Sequence, residues 1–442
     1  MRVALYTFGC KLNQYETEAL AAAFRGAGHA VSDIHGSSDL YIVSTCTVTS
    51  KSEQKARRLI RALSRQEDKP VVIVTGCYAQ TDAAAVERLG PNVVCLPQDR
   101  KHALLELPAH VGGTAWRDAG SELAAYVRTT LARAAPPRGE AAFAYSMPQT
   151  TFHARAYLKI QDGCDYRCAY CRVPLARGPS VSRDAGEVLA EALALEGAGY
   201  RELVVTGVNI ASYAGSGGGL AELLGTLLAG ARLSRIRLSS LEPERLRGGL
   251  LDVIGHERIC PHFHLPVQSL SDRVLGAMGR RYLSADVRAA AAALRARRDD
   301  PFIAADVIAG FPGESAADHE ATVATIREIG FSQLHVFPFS PRPGTAAWGT
   351  GPRTPERVRD ERAGELRAIS AALHREYADR WMGRQVEVLV EEPGRGTSGN
   401  YLKVRLEPPL AQRGEVVSVV LGRVGGRIEG ISPTRGLRNC SA

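Results

Sequence analysis

The chain has 442 residues, 45% of them hydrophobic and 23% charged, with 44 Gly and 23 Pro, which is enough for about three domains with their own cores and excludes a disordered chain. No run of about 18 uncharged apolar residues occurs, and the N-terminus enters Arg2-Val3-Ala4-Leu5-Tyr6 without a charged-then-apolar leader, so no membrane span or secretory segment is expected and the location reads as cytoplasmic. The formal charge is +8, from 55 Lys and Arg against 47 Asp and Glu, and 48 of the 55 basic residues are Arg. Guanidinium groups suit phosphate and base-edge contacts, yet a GC-rich genome gives the same bias, so composition leaves nucleic-acid binding open.

Nine cysteines stand at 10, 46, 77, 95, 164, 168, 171, 260 and 440. In a reducing compartment they do not form a disulfide framework, which leaves metal ligation or catalysis. Within residues 1–125, apolar runs Val3 to Phe8, Leu40 to Thr45 and Val71 to Thr75 read as buried parallel strands, with helices at about 16–28 and 51–66. Such a βαβ pattern predicts an open, doubly wound sheet whose strands share one C-terminal edge. Each run leads into a cysteine, Cys10, Cys46 and Cys77, so three distant thiols are expected to converge there. Helix N-termini at that edge favour thiolates. The bland alternative is three buried cysteines packed as small hydrophobes, the reading also given to Cys95 on a possible fourth strand.

A linker is read at 126–151, including Ala134-Ala135-Pro136-Pro137-Arg138-Gly139, and a central domain at 152–382. This domain opens with Gly163-Cys164-Asp165-Tyr166-Arg167-Cys168-Ala169-Tyr170-Cys171. The Cys-x3-Cys-x2-Cys loop can wrap three thiolates round one face of a [4Fe–4S] cube and leave the fourth iron open. Structural zinc, the competing metal, wants four protein ligands, and no nearby Cys or His completes the set. Strand-like runs follow at about 202–206, 235–239, 262–267, 303–309 and 333–338, alternating with helices at about 184–198, 219–230, 244–254, 284–298 and 314–328. With the strand before the loop they make six βα units, too few for a closed eight-stranded barrel, so a partial (βα)6 barrel is expected. Polar residues at the strand ends, Asn209, Ser239, Ser240, Glu242, Gln268 and Gly310-Phe311-Pro312-Gly313-Glu314, each pass as caps or turns singly and as a binding face together.

A charged connector helix at 354–382 leads to residues 383–442, where Val386 to Val390, Tyr401 to Leu406, Val416 to Leu421 and Arg427 to Ile431 alternate with turns and predict a small all-β barrel. It is mildly basic, which suits RNA and a plain structural cap about equally.

The cysteine loop with Tyr170 resembles the radical S-adenosylmethionine superfamily, and Cys10, Cys46 and Cys77 resemble what its methylthiotransferase branch adds. Gly9-Cys10-Lys11-Leu12-Asn13-Gln14-Tyr15-Glu16-Thr17-Glu18 and Ser44-Thr45-Cys46-Thr47-Val48-Thr49 are similar to the branch acting on N6-threonylcarbamoyladenosine in tRNA. His264 to Ser269 and Gly310 to Glu314 also match, the C-terminal barrel resembles the RNA-binding TRAM module, and the chain departs from the family pattern at Leu270 and Val181.

The resemblance implies two [4Fe–4S] clusters. Cys164, Cys168 and Cys171 would hold one that binds and reductively cleaves S-adenosylmethionine, and Cys10, Cys46 and Cys77 one that carries the sulfur. It further implies Tyr170, Arg183, Asn209, Glu242 and Gln268 as S-adenosylmethionine contacts, a tRNA substrate, an external electron donor and a sulfur source. Methylthiolation of isopentenyladenosine or of a ribosomal-protein aspartate, and a non-catalytic iron–sulfur RNA-binding regulator, are the competing readings.

Overall fold

The computed structural model describes residues 1–33, 36–112, 120–131, 138–145, 153–406 and 411–431. The first sheet contains β1 (Arg2–Thr7), β2 (Ala30–Ser32), β3 (Leu40–Thr45), β4 (Val71–Gly76) and β5 (Val93–Cys95), all parallel, in the order β2-β1-β3-β4-β5. Its central strands are buried on both faces: Ile42 and Ile73 pack with Leu20 and Phe24 on one side, Val43 and Val74 with Ile60 and Leu63 on the other. Each such side chain stabilises the fold by about 1.5–3 kcal/mol, so a run of them fixes the strand without any alternating pattern. The short edge strand β2 carries no apolar run and escaped the sequence pattern.

The first helix, Lys11–Gly26, begins five residues earlier than expected, with Cys10 as its extended N-cap. Lys11, Asn13 and Gln14 look like loop residues by polarity, but Asn13 is held by the carbonyls of Phe8 and Thr45, both at 3.0 Å. The helix at Gly120–Tyr126 and the turn at Val127–Leu131 follow, and Leu123, Ala124 and Val127 pack into the core of the first sheet. Ala134 to Pro137 lie outside the described residues.

Six parallel strands form the expected arc: β6 (Ala156–Lys159), β7 (Glu202–Thr206), β8 (Arg235–Leu238), β9 (His262–Gln268), β10 (Phe302–Ala309) and β11 (Gln333–Pro338). Ladders join β6-β7-β8 and β9-β10-β11, and a parallel bridge from Ser240 to His264 links the two halves. Leu203, Val205, Leu265, Ala305 and Val307 face the outer helices, among them Ala185–Gly197, Ser284–Arg297 and Ala316–Ile329. The helix expected at 244–254 is instead a short turn, Pro243–Arg245, and a helix Gly249–Ile254, because Gly248 at φ +55° breaks the run.

The connector helix, Glu356–Arg380, leads to a closed five-stranded barrel of β12 (Gln385–Glu392), β13 (Arg395–Ser398), β14 (Lys403–Leu406), β15 (Val416–Val424) and β16 (Arg427–Ile431). Strand β13, Arg-Gly-Thr-Ser, has no apolar signature and is defined only by its pairing with β12 and β14. The barrel covers the N-terminal end of the arc. Phe302 and Ala304 pack with Tyr377, Val388 and Leu402. Arg235 and Arg237 pair with Glu202, each at 2.7 Å, and donate to the carbonyls of Thr397 at 3.2 Å and Ser398 at 3.1 Å.

Candidate metal centre

Parallel strands put the three N-terminal cysteines at one edge. Cys10 follows β1, Cys46 follows β3, and Cys77 opens the helix Cys77–Thr81 directly after β4. At Gly9 (φ +102°) an added Cβ would stand 2.6 Å from Cys46 Cβ, so only glycine lets the first two loops meet. Burial pushes the Cys46 thiol up to about 12, with Cys10 and Cys77 beside it adding to the effect. Cys77 is also raised, by burial first, while the neighbouring Arg177 opposes the rise. Thiols that crowd and raise one another are poor thiolates until a cation joins them, which is the condition a bound metal centre meets.

The second triplet lies in the loop after β6. Gly163 (φ +70°) lets the chain pass against Pro179, where a Cβ would be 2.0 Å from the carbonyl oxygen. The loop is pinned by Cys164 N–H to Gly178 O (3.0 Å) and Ala169 N–H to Met278 O (2.9 Å). Backbone N–H groups of Tyr166 and Val173 point at Cys164 Sγ and Cys171 Sγ, both at 3.4 Å, and Arg280 Nη1 donates to Cys168 Sγ at 3.2 Å. Donors aimed at sulfur stabilise metal-bound thiolates. Burial pushes Cys171 up to about 12 and raises Cys164. Among the described residues, the donors that converge within 4.8 Å are His264, Asp306 and His335, and neither cysteine triplet does so. Thiolates round one zinc ion at about 2.3 Å would stand roughly 3.8 Å apart, so the wider spacing fits a cluster body better than a single ion.

Two buried charge networks bring the triplets together. Arg172, next to Cys171, donates to Thr47 Oγ1 (3.1 Å) and Glu53 (3.4 Å) in the Cys46 loop, and Arg342 donates to Thr47 at 3.1 Å and pairs with the same Glu53. Arg177 pairs with Glu16 (2.9 Å) and Asp162 (2.8 Å) and donates to Asn13 (2.8 Å). Glu16 also pairs with Lys101 (2.9 Å) and Lys159 (3.0 Å), both fully buried. Burial alone would raise the Glu16 carboxyl, but Arg177, Lys101 and Lys159 hold it well below the usual range. Three cations against two carboxylates leave one positive charge within reach of Cys77 and Cys10. That surplus favours an anionic centre at these thiols.

The other expected contacts lie at the C-terminal ends of the arc's strands. Asn209, after β7, is buried, and its side-chain oxygen and nitrogen have no hydrogen-bond partner among the described residues. Such an orphaned pair points to a ligand. Glu242, after β8, is pushed up to about 7 by burial and pairs with Arg280. Gln268 ends β9 at φ +62° and is buried, and Tyr170 packs with Met278, Phe311 and Phe339. Arg183 pairs with Glu191 and with Glu187 at 3.3 Å, so its guanidinium is spent on the helix Ala185–Gly197, and Glu191, which accepts from Tyr15 at 3.1 Å, ties that helix to the N-terminal domain. Sequence reasoning missed Arg280, Arg172 and Arg342; the arginine following Cys171 was the one local signal.

A six-stranded parallel arc with a Cys-x3-Cys-x2-Cys loop at its working edge defines a radical S-adenosylmethionine enzyme. The Radical SAM superfamily model matches residues 158–326, and the model for uncharacterized protein family UPF0004 matches residues 2–97. The chain is 36% identical to the threonylcarbamoyladenosine tRNA methylthiotransferase MtaB of Treponema pallidum, over 94% of this chain and 96% of the relative. It is 34% identical to the MtaB of Bacillus subtilis, over 96% and 94%. The chain therefore belongs to the threonylcarbamoyladenosine tRNA methylthiotransferase family, and it is a radical S-adenosylmethionine methylthiotransferase. A similar solved fold is the radical S-adenosylmethionine methyltransferase TsrM of Kitasatospora setae, at TM-score 0.54 and 17% identity, covering 78% of this chain and 77% of that one. No helix among the described residues is long and apolar enough to cross a membrane.

Proposed function

We propose that the chain attaches a methylthio group to C2 of N6-threonylcarbamoyladenosine at position 37, next to the anticodon of tRNA, giving 2-methylthio-N6-threonylcarbamoyladenosine. The observation that carries the reading is the pair of cysteine triplets tied to each other through Arg172 and Arg177. Cys164, Cys168 and Cys171 would hold one [4Fe–4S] cluster that binds S-adenosylmethionine, and Cys10, Cys46 and Cys77 would hold a second. When bound, these groups supply the one-electron chemistry and the sulfur that replacing an unactivated aromatic C–H requires.

The chain's own residues bind and orient. Asn209 offers two unsatisfied polar groups to S-adenosylmethionine, and Tyr170, Glu242 and Gln268 would supply the other contacts. Arg280 supports the Cys168 thiolate, and Arg177 supports negative charge at Cys10 and Cys77. The helix Lys11–Gly26 packs Tyr15 and Ala19 against Tyr157 and Val204 of the arc, which closes its open side against water. The C-terminal barrel, TRAM-like with Lys403, Arg423 and Arg427 on its strands, grips the RNA. An external electron donor and a sulfur source complete the reaction, in the cytoplasm.

The test is mass analysis of nucleosides from total tRNA in a host without such an enzyme, with and without this chain expressed at low oxygen. The methylthiolated threonylcarbamoyl nucleoside is expected. Only 2-methylthio-isopentenyladenosine would overturn the substrate, and neither product with intact clusters would redirect the search to ribosomal protein.

A further inference from the structure

Along β9 and β10, Leu265, Val267, Ile303, Ala305 and Val307 pack outward on the helices. Strand alternation therefore turns His264, Asp306 and His335 to the inner face. Asp306 Oδ1 accepts from His264 Nε2 at 2.8 Å and from His335 Nδ1 at 3.2 Å, and Ser240 Oγ is 2.7 Å from His264 Nδ1. The group is open to the lumen: the His335 side chain is 41% exposed and that of Asp306 22%. It is polar and held by its own hydrogen bonds, and among the described residues none of these goes to a cysteine of either triplet.

The fourth member comes from the other domain. Tyr15 and Ala19 lie against the inner face of β6 and β7, and Lys11 stands one turn before Tyr15 on the same helix face. Its ammonium is within electrostatic reach of Arg237, Arg155 and Glu202, and more weakly of Asp306. Each of those carboxylates is already taken: Glu202 by Arg235 and Arg237, Asp306 by the two imidazoles. Lys11 itself makes no hydrogen bond or ion pair among the described residues. A half-buried ammonium in a pocket whose carboxylates are already paired keeps its charge for an anion. Lys11 also follows Cys10 in the chain, so whatever it holds is placed beside the N-terminal triplet.

We propose that Lys11 binds the carboxylate of the threonylcarbamoyl group, with His335, whose Nδ1 is engaged by Asp306, turning its other ring nitrogen to that group's hydroxyl or urea oxygen, and that this subsite sets the choice of substrate nucleoside. The inference rests on the function proposed above. An isopentenyl group at the same place would leave the ammonium facing hydrocarbon, which disfavours it without any steric block.

The experiment uses the full-length enzyme with reconstituted clusters, kept anaerobic. Its ligands are anticodon stem–loop RNAs carrying N6-threonylcarbamoyladenosine, the methyl ester of that nucleoside, or isopentenyladenosine. Affinity is read by fluorescence without turnover, and KM and kcat are read by product mass. The wild type is expected to prefer the acid over the neutral ester by about 10- to 100-fold. K11Q should lose that preference, mainly through KM, and K11R should restore most of it, with iron and sulfide content equal in all three proteins. Equal affinity of the wild type for acid and ester, or an unchanged ratio in K11Q, would overturn the role of Lys11 while methylthiolation of the acid still upheld the function. Absence of product from every RNA would overturn the function, and the affinity ratio would still decide Lys11.

Discussion

Replacing Glu16 by Gln, which keeps the shape and removes the charge, tests the reading of the network under the N-terminal triplet. Glu16 is fully buried and faces Lys101 at 2.9 Å, Lys159 at 3.0 Å and Arg177 at 2.9 Å. Only Asp162 would remain to balance the three cations. Breaking a buried ion pair by removing one partner costs about 3–5 kcal/mol, because a charge is left desolvated. For a unit of this size each kcal/mol lowers Tm by about 2–4 °C, so a fall of about 6–20 °C is expected. Thermal unfolding of the full chain at neutral pH, followed by circular dichroism, measures it. A second substitution, Lys101→Met in the E16Q background, should recover part of the loss, with a coupling of at least about 1 kcal/mol in the double-mutant cycle. The sign with pH is fixed. The folded carboxyl is held well below its ordinary value, so its contribution is complete above about pH 4.3 and is lost as pH falls through the folded pKa. The gap between wild type and E16Q should therefore narrow in acid. A Tm change below about 2 °C at neutral pH, or additive effects of the two substitutions, would refute the reasoning.

The two cysteine triplets predict opposite phenotypes. Cys168→Ala should stop formation of 5′-deoxyadenosine, whereas Cys77→Ala should leave it intact and abolish the methylthiolated nucleoside, both read by mass analysis. Asn209→Ala removes no protein hydrogen bond, since both polar atoms lack partners among the described residues, so Tm should stay within about 2 °C while KM for S-adenosylmethionine rises on the order of 10-fold. Glu202→Gln should loosen the C-terminal barrel from the arc, because it leaves Arg235 and Arg237 unpaired at about 3–5 kcal/mol. Hydrogen exchange along Leu402 to Leu406 should rise in that variant and stay slow in the wild type. The Glu202 carboxyl, which burial would raise, is held far below its usual range by Arg237 and Arg235, so the wild-type contact weakens only in strong acid.

Much of the architecture was legible in the chain because it is written in local patterns. Four- to eight-residue apolar runs mark strands buried on both faces, and their alternation with helices gave the first sheet and the six-unit arc. The cysteine spacing announced a cluster loop, and parallel topology alone placed Cys10, Cys46 and Cys77 on one edge. The elements that were missed lack such patterns. Strand β13 exists through its pairing partners, and the first turn of the helix Lys11–Gly26 is polar because it faces the other domain.

What the sequence by itself determined is therefore the apolar strands, the helices that alternate with them and the identity of the thiols, since backbone propensity, burial and spacing act over short range. Only the tertiary structure decided which charges meet. Glu16 lies 161 residues from Arg177, Arg172 lies 125 from Thr47, and Lys11 comes within electrostatic reach of Arg237 and Glu202 from another domain. Electrostatic pairing in a low-dielectric interior depends on distance in space and on desolvation, and neither is encoded in any single segment of the chain.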